Sequence, residues 1–487
     1  MMTPSRQHPG TPDRPKGRPQ DDRARPRRED TDRSELSQLT GDHARDRVFA
    51  RLAEHAAALP DLDHRGLDDT GLSPLDGAFA HAVYEAAVSR WITLDTLFRR
   101  GLRDSWQRLD PEVVAALIGA SAQMIFLDRV PPHAAVDHAV EWARRSGQDR
   151  GAGLVNGVLR RVAELRGAEA IKRSAYSGGA EEVPLASGES LVLLREVFPS
   201  DPVRRLSLAT GHPPDEVAVW VKAHGFEAAR RVALHGVTKP PIIVTDPAHS
   251  EHRASSFPEH ASLARHRSPN HRLFIGHAAE LGGFLREHPH LVVQDPASSR
   301  PVASIVGHVA PQSILDLCAG RGTKTRQLAA LFPEAHVVAT DIDNDRRGSL
   351  SASFPGNDRV RVVGHAEALA SSYDLILLDV PCSNSGTLAR RPEARVRLSM
   401  AQVERLTALQ RDLLKTGASH LNPGGTILYA TCSIDPRENA EMSRAASKHL
   451  GLKLLAEELT LPAGIPGDEP AAYHDGSYYA RLSTTKV

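Results

Sequence analysis

The chain has 487 residues, 40% hydrophobic and 25% charged, with no formal net charge at pH 7. That length is too great for one core and predicts roughly two to four domains; the composition is that of a soluble globular protein, and the neutral balance leaves any polyanion to be met by local basic patches. No apolar run approaches the ~18 residues of a membrane span and the N-terminus lacks the apolar core of a signal peptide, so a cytoplasmic protein with no membrane partner is expected.

In chain order, residues 1–46 are rich in Pro, Arg and Asp, with eight Lys/Arg against three Asp up to Arg28. So few large apolar side chains cannot offset the entropy of ordering, and a disordered basic tail is expected. Residues 47–166 carry apolar positions at helical spacing. In "LDPEVVAALIGASAQMIFL" Asp110 is a helix N-cap and Pro111 the first helical residue, with Val113, Val114, Leu117, Ile118, Met124 and Ile125 along one face. Residues 167–203 read as a linker of weak helical character, and 204–290 as a connecting subdomain. Its histidines, among them His249, His252, His260, His266, His271, His277, His288 and His290, follow no metal-ligand spacing and have no cysteine near them, so no metal is expected. From 291 to 487, apolar runs of four to six residues alternate with helical stretches, the pattern of a doubly wound α/β sheet.

Within that last segment "SILDLCAGRGTKT" reads as strand, glycine turn and helix start, with Gly320 and Gly322 allowing a ligand close to the backbone. About twenty residues on, "HVVATDID" ends a second strand in Asp341, where an acid binds ribose hydroxyls. A P-loop lacks its Gly-Lys-Ser/Thr, and a dinucleotide fold would need glycine where Thr325 stands. S-adenosylmethionine, which has no phosphate, fits best. Only three cysteines occur, Cys318, Cys382 and Cys432, too few for a disulfide framework. Two of them follow apparently neighbouring strands, in "DVPCSNSG" and "YATCSIDP". Ligands of open α/β sheets gather at the carboxyl ends of strands, so both thiols are expected at one pocket.

These motifs, with "RVPPHAAVDHAVEWA", "GLVNGVLRRVAEL" and a closing "DGSYYARL", resemble the RsmB (Sun) family of ribosomal RNA cytosine methyltransferases from about Arg47 to Leu482. The resemblance implies an all-helical NusB-like RNA-binding domain followed by a Rossmann-like methyltransferase domain. It implies cofactor contacts from Cys318, Ala319, Gly320, Arg321, Gly322, Thr323, Lys324, Asp341 and Asp379, and from His365, which stands where the family places an Asp against the adenine. It also implies RNA contacts from Asn156, Arg160 and Arg161 and from the run Arg390, Arg391, Arg395 and Arg397. "PPIIVTDP" replaces the family's Arg-Val-Asn strand.

The chemistry explains the thiols. C5 of cytosine is too electron-poor to take a methyl from a sulfonium, whereas a thiolate added at C6 makes C5 nucleophilic. Asp379 is placed to meet charge at N3, and the resemblance implies that Lys324 reaches toward the base. A Pro-Cys alone also fits DNA enzymes; the second motif, Thr-Cys-Ser, implies by resemblance attack by Cys432 and product release by Cys382. The expected activity is cytosine-C5 methylation of small-subunit (16S) ribosomal RNA, with the base flipped into the pocket, RNA as the partner and no obligate protein partner. A different class stays open: an RNA-binding assembly factor with a degenerate methyltransferase domain.

Overall fold

The computed structural model describes residues 43–99, 102, 109–248 and 257–484. Among the described residues the first six helices are α1 (His43–Ala58), α2 (Pro74–Ser89), α3 (Trp91–Arg99), α4 (Pro111–Phe126), α5 (Pro132–Arg145) and α6 (Asp149–Arg166). α1 takes in the last four residues of the segment expected to be a tail, 43–46; the rest of that expectation, residues 1–42, lies outside the described residues. α4 begins with Asp110 extended and Pro111 in the first turn, although the Asp110 side chain makes no capping bond. Every residue from Val113 to Ile125 is buried, so α4 is covered all round and forms the axle of the bundle rather than an amphipathic surface helix. Phe49 of α1 and Trp142 of α5 meet edge to face across it.

The linker expectation for 167–203 is corrected. That stretch folds into an antiparallel sheet of β1 (Ile171–Arg173), β2 (Glu182–Pro184) and β3 (Ser190–Val192), in the order β1-β3-β2. Val183, Leu191, Leu193, Val197 and Phe198 are buried in the same core as the helices. Strands of three residues are too short to show an alternation of period two, which hid them in the sequence. Helices α7 (Pro202–Thr210), α8 (Pro214–His224) and α9 (Phe226–His235) follow. Next comes a four-stranded sheet of β4 (Ile242–Thr245), β5 (Leu263–Arg265), β6 (His271–Phe274) and β7 (Val292–Val293), with α10 (Leu281–Glu287) before β7. "PPIIVTDP" is indeed strand, as β4, and its Ile243 packs with Leu273 and Tyr473.

The remaining chain is one seven-stranded sheet with helices on both faces. Its strands are β8 (Ser313–Asp316), β9 (His336–Ala339), β10 (Val360–Val362), β11 (Tyr373–Asp379), β12 (Leu421–Thr431), β13 (Leu452–Thr460) and β14 (Ser477–Thr484), in the order β10-β9-β8-β11-β12-β14-β13. β8 to β12 run parallel, and β14 is antiparallel to both its neighbours. The all-apolar runs Leu375–Leu378 and Ile427–Tyr429 are central strands covered on both faces. The strand order reverses between β8 and β11, so the crevice for a ligand opens at their carboxyl ends.

Candidate active site

The β8 end carries the glycine turn. Gly320 and Gly322 have φ of 57° and 89°, a region costly for any residue with a Cβ. A Cβ on Gly322 would lie 2.7 Å from Leu350. Asp341, just past β9, accepts from the Gly320 N–H at 2.9 Å and the Asp343 N–H at 2.9 Å, so it is held against the turn. Asp316, the last residue of β8, is buried; Thr325 donates to its Oδ2 at 2.7 Å, while Oδ1 has no partner. Burial, with Asp379 and Asp341 near it, pushes its carboxyl up to about 7. An orphaned carboxylate oxygen beside glycines and an acid clamp fits a ligand that carries positive charge and hydroxyls. S-adenosylmethionine has both.

His365 opens a short helix after β10 (His365–Ala368), and its Nδ1 is buried without a partner. Glu367, two residues on, is exposed and paired with Arg361 at 2.5 Å.

The β11 and β12 ends bring the thiols together. Asp379 pairs in register with Ala430, and two to three residues beyond, Cys382 Sγ and Cys432 Sγ stand 3.3 Å apart. As a neutral thiol Cys432 donates to Asn384 Oδ1 at 3.2 Å. Ionised, it takes a hydrogen bond from Cys382, which holds Cys432 below the ordinary thiol range. The same contact, reinforced by burial, pushes Cys382 well up. Lys324 Nζ lies 2.8 Å from Asp379 Oδ2 and 3.5 Å from Ser298 Oγ. Burial works against its charge, but Asp379 carries the ammonium upward on balance. Ser298, Lys324, Asp379, Thr387, Cys432 and Asp475 line one cavity of ≈ 50 Å³.

Beneath the thiols the loops are locked. Glu438 accepts from the Ser383 N–H at 2.9 Å, from Ser383 Oγ at 2.5 Å and from Gln410 at 3.0 Å, while Ser385 and Ser433 hydroxyls meet at 2.9 Å. Buried polar groups satisfied this fully fix the loop geometry. Asn384, which touches both cysteines, has φ of 61°, and among the described residues no other non-glycine has positive φ. Sequence reasoning missed it, with Ser298, Thr387 and Asp475; the quoted "SNSG", with Asn ahead of Gly, was the available signal for a left-handed turn.

Cys318 sits in the cofactor turn, away from the thiol pair, and burial pushes its thiol up. Of the residues expected at RNA, Arg160 and Arg161 are exposed on α6, and Asn156 half-buried, on the face opposite Val155, Val158 and Val162. Arg391 is exposed and 3.8 Å from Glu393, and Arg397 is half-buried. Two others are corrected. Arg395 is fully buried and donates to the carbonyls of Ser89 (2.6 Å), Thr210 (3.3 Å), Leu388 (3.2 Å) and Gly236. Arg390 is enclosed by Asp295 and Asp475. Both face inward because buried carbonyls and carboxylates there need donors.

Residues 305–482 match the family of 16S rRNA methyltransferase RsmB/F, and residues 42–164 the NusB family. The chain is 29% identical over 375 residues to ribosomal RNA small subunit methyltransferase B of Erwinia tasmaniensis, across 75% of this chain and 81% of the relative. It is likewise 29% identical over 385 residues to the protein of that name from Pectobacterium atrosepticum. The crystal structure of PH0851 superposes with a TM-score of 0.63 at 19% identity, over 85% of this chain and 91% of that one, which is a likeness of fold.

Proposed function

We infer, for a chain that belongs to the RsmB/F family of S-adenosylmethionine-dependent RNA methyltransferases and carries a NusB-family domain ahead of its catalytic fold, that it methylates C5 of a cytosine in small-subunit ribosomal RNA through a covalent adduct at Cys432. The observation that carries this reading is the thiol pair: two cysteines 3.3 Å apart at the carboxyl ends of adjacent strands, of which Cys432 is the more acidic. Structural cysteines have no reason to gather at a ligand crevice. The relatives named above act on small-subunit RNA by their names, and that supports the same substrate here.

S-adenosylmethionine supplies the methyl group. Cys432 as thiolate adds to C6 of a flipped base. Charge building at N3 falls to the Asp379–Lys324 pair, whose ammonium is held charged in a buried place where electrostatics are strong. After transfer, Cys382 assists loss of the C5 proton and release of Cys432. Asn384, which also donates to the Cys382 carbonyl, accepts from the neutral form of the nucleophile. Methylation of ribosomal RNA taken from a deletion strain tests this: Cys432→Ala abolishes both methylation and adduct. Cys382→Ala accumulates a protein–RNA adduct that survives a denaturing gel. Adduct in Cys432→Ala and none in Cys382→Ala would reverse the roles. Full methylation by both variants would make the thiols core residues and end the covalent mechanism, whereas no cofactor binding by the unaltered protein would favour the degenerate, RNA-binding reading.

A further inference from the structure

Arg390 commits its guanidinium to partners within the chain and is left 26% exposed. Its Nε donates to Asp475 Oδ2 at 2.8 Å, one terminal nitrogen to Asp295 Oδ2 at 3.1 Å and the other to the Pro241 carbonyl at 3.0 Å. The guanidinium carbon lies 4.9 Å from the centre of the Tyr473 ring, and Tyr473 donates its hydroxyl to Asp475 Oδ1 at 2.7 Å. Both carboxylates are buried. Asp295 also accepts from the Asp475 N–H at 3.0 Å and from the Ala297 N–H at 2.9 Å, which caps α11 (Pro296–Ala303), the helix that brings Ser298 to the cavity.

From Asp475 the connection runs on to the nucleophile. The next residue, Gly476, donates its N–H to the Gly386 carbonyl at 2.7 Å, and Gly386 donates its own to the Cys432 carbonyl at 2.9 Å. The seam is closed tightly: a Cβ on Gly386 would lie 2.8 Å from both the Cys432 and the Gly476 carbonyl oxygens. Three loops, after β11, after β12 and before β14, are thus sewn together edge to edge, and one cation holds their outer margin. A phosphate brought to Arg390 would meet two buried carboxylates sharing one guanidinium.

We propose that Arg390 is a positioning residue for the reaction: by pinning Asp475 and Asp295 to the loop that follows Cys382, it fixes the main chain of Cys432 and the point from which the thiolate meets the base. The proposal rests on Cys432 being the nucleophile.

The test uses the full chain, S-adenosylmethionine and small-subunit ribosomal RNA from a deletion strain. Arg390→Met and Arg390→Lys are compared with the unaltered protein for cofactor affinity, RNA affinity, and turnover at saturating RNA. Adduct formation is read in a Cys382→Ala background. The expected result is cofactor and RNA affinities within about 2-fold of the unaltered protein, with turnover and adduct formation falling together by roughly 100-fold in Arg390→Met, the scale of an ångström-sized misplacement of a reacting group. Arg390→Lys recovers part of that loss. Weakened RNA binding with turnover intact at saturating RNA would overturn the proposal in favour of a phosphate contact, and unchanged turnover would overturn it outright. Should Arg390→Met fail to bind cofactor through misfolding, Asp475→Asn carries the same expectation and the same two overturning outcomes. Absence of adduct and methylation in the controls with Arg390 intact would instead sink the reading of Cys432.

Discussion

Asp316 gives the site a measurable dependence on pH. Its carboxyl ordinarily titrates near 3.8 and in the folded chain is raised to about 7, by burial first and by the neighbouring carboxylates after it. The folded chain therefore holds a proton that the unfolded chain releases, so the stability this group contributes is complete below about pH 3.8 and is lost as the pH rises through about 7. A ligand bearing a sulfonium and an ammonium group favours the ionised form. Affinity for S-adenosylmethionine should thus climb between about pH 6 and pH 8 in calorimetric titrations, and Asp316→Asn should flatten the profile. A flat profile in the unaltered protein would remove Asp316 from the cofactor's surroundings.

At the scale of elements, the sequence was most legible where an element is long and its surroundings uniform. The apolar runs behind Cys382 and Cys432 could only be central strands, and they lie side by side in register; the glycine turn and Asp341 meet at 2.9 Å as their spacing implied. Asp475 was invisible because its importance comes from what folding sets beside it, and Asn384 showed only as a turn residue. Arginines were the weakest guide: Arg390, Arg391, Arg395 and Arg397 stand close in sequence, yet Arg391 is exposed and Arg395 is fully buried, and charge patterning carries no sign of which way a side chain turns. The segment 167–203 shows the other failure, a small sheet without period. Phe198, buried in the helical core, offers the check: Phe198→Ala should cost about 3–5 kcal/mol in urea unfolding, a cavity-sized loss, whereas a true linker residue would cost almost nothing.

For the whole molecule the decisive residue is Arg395. Its four acceptors belong to the ends of α2, α7 and α9 and to the loop after Cys382, so one side chain ties the helical half to the catalytic half, alongside the His224–Ile434 hydrogen bond and the Arg437–Glu216 ion pair. Arg395→Met strips donors from four buried carbonyls and should destabilise the full chain by about 3–5 kcal/mol in denaturant unfolding, with Arg395→Lys recovering some of it. A loss within about 0.5 kcal/mol, the size of an ordinary surface substitution, would show that the joint holds without it.

Among the described residues no carboxylate pairs with that guanidinium; the carbonyl ends of three helices meet it, each bearing a fraction of negative charge. A hinge neutralised by dipoles offers no acid to protonate and, being buried, little for salt ions to screen. The RNA contacts proposed for exposed arginines such as Arg160 are in the opposite position, since each phosphate contact releases counterions and weakens as salt rises. Rising salt should therefore dissociate the RNA from a protein whose radius of gyration in solution stays constant: the enzyme lets go of its substrate without loosening its own frame.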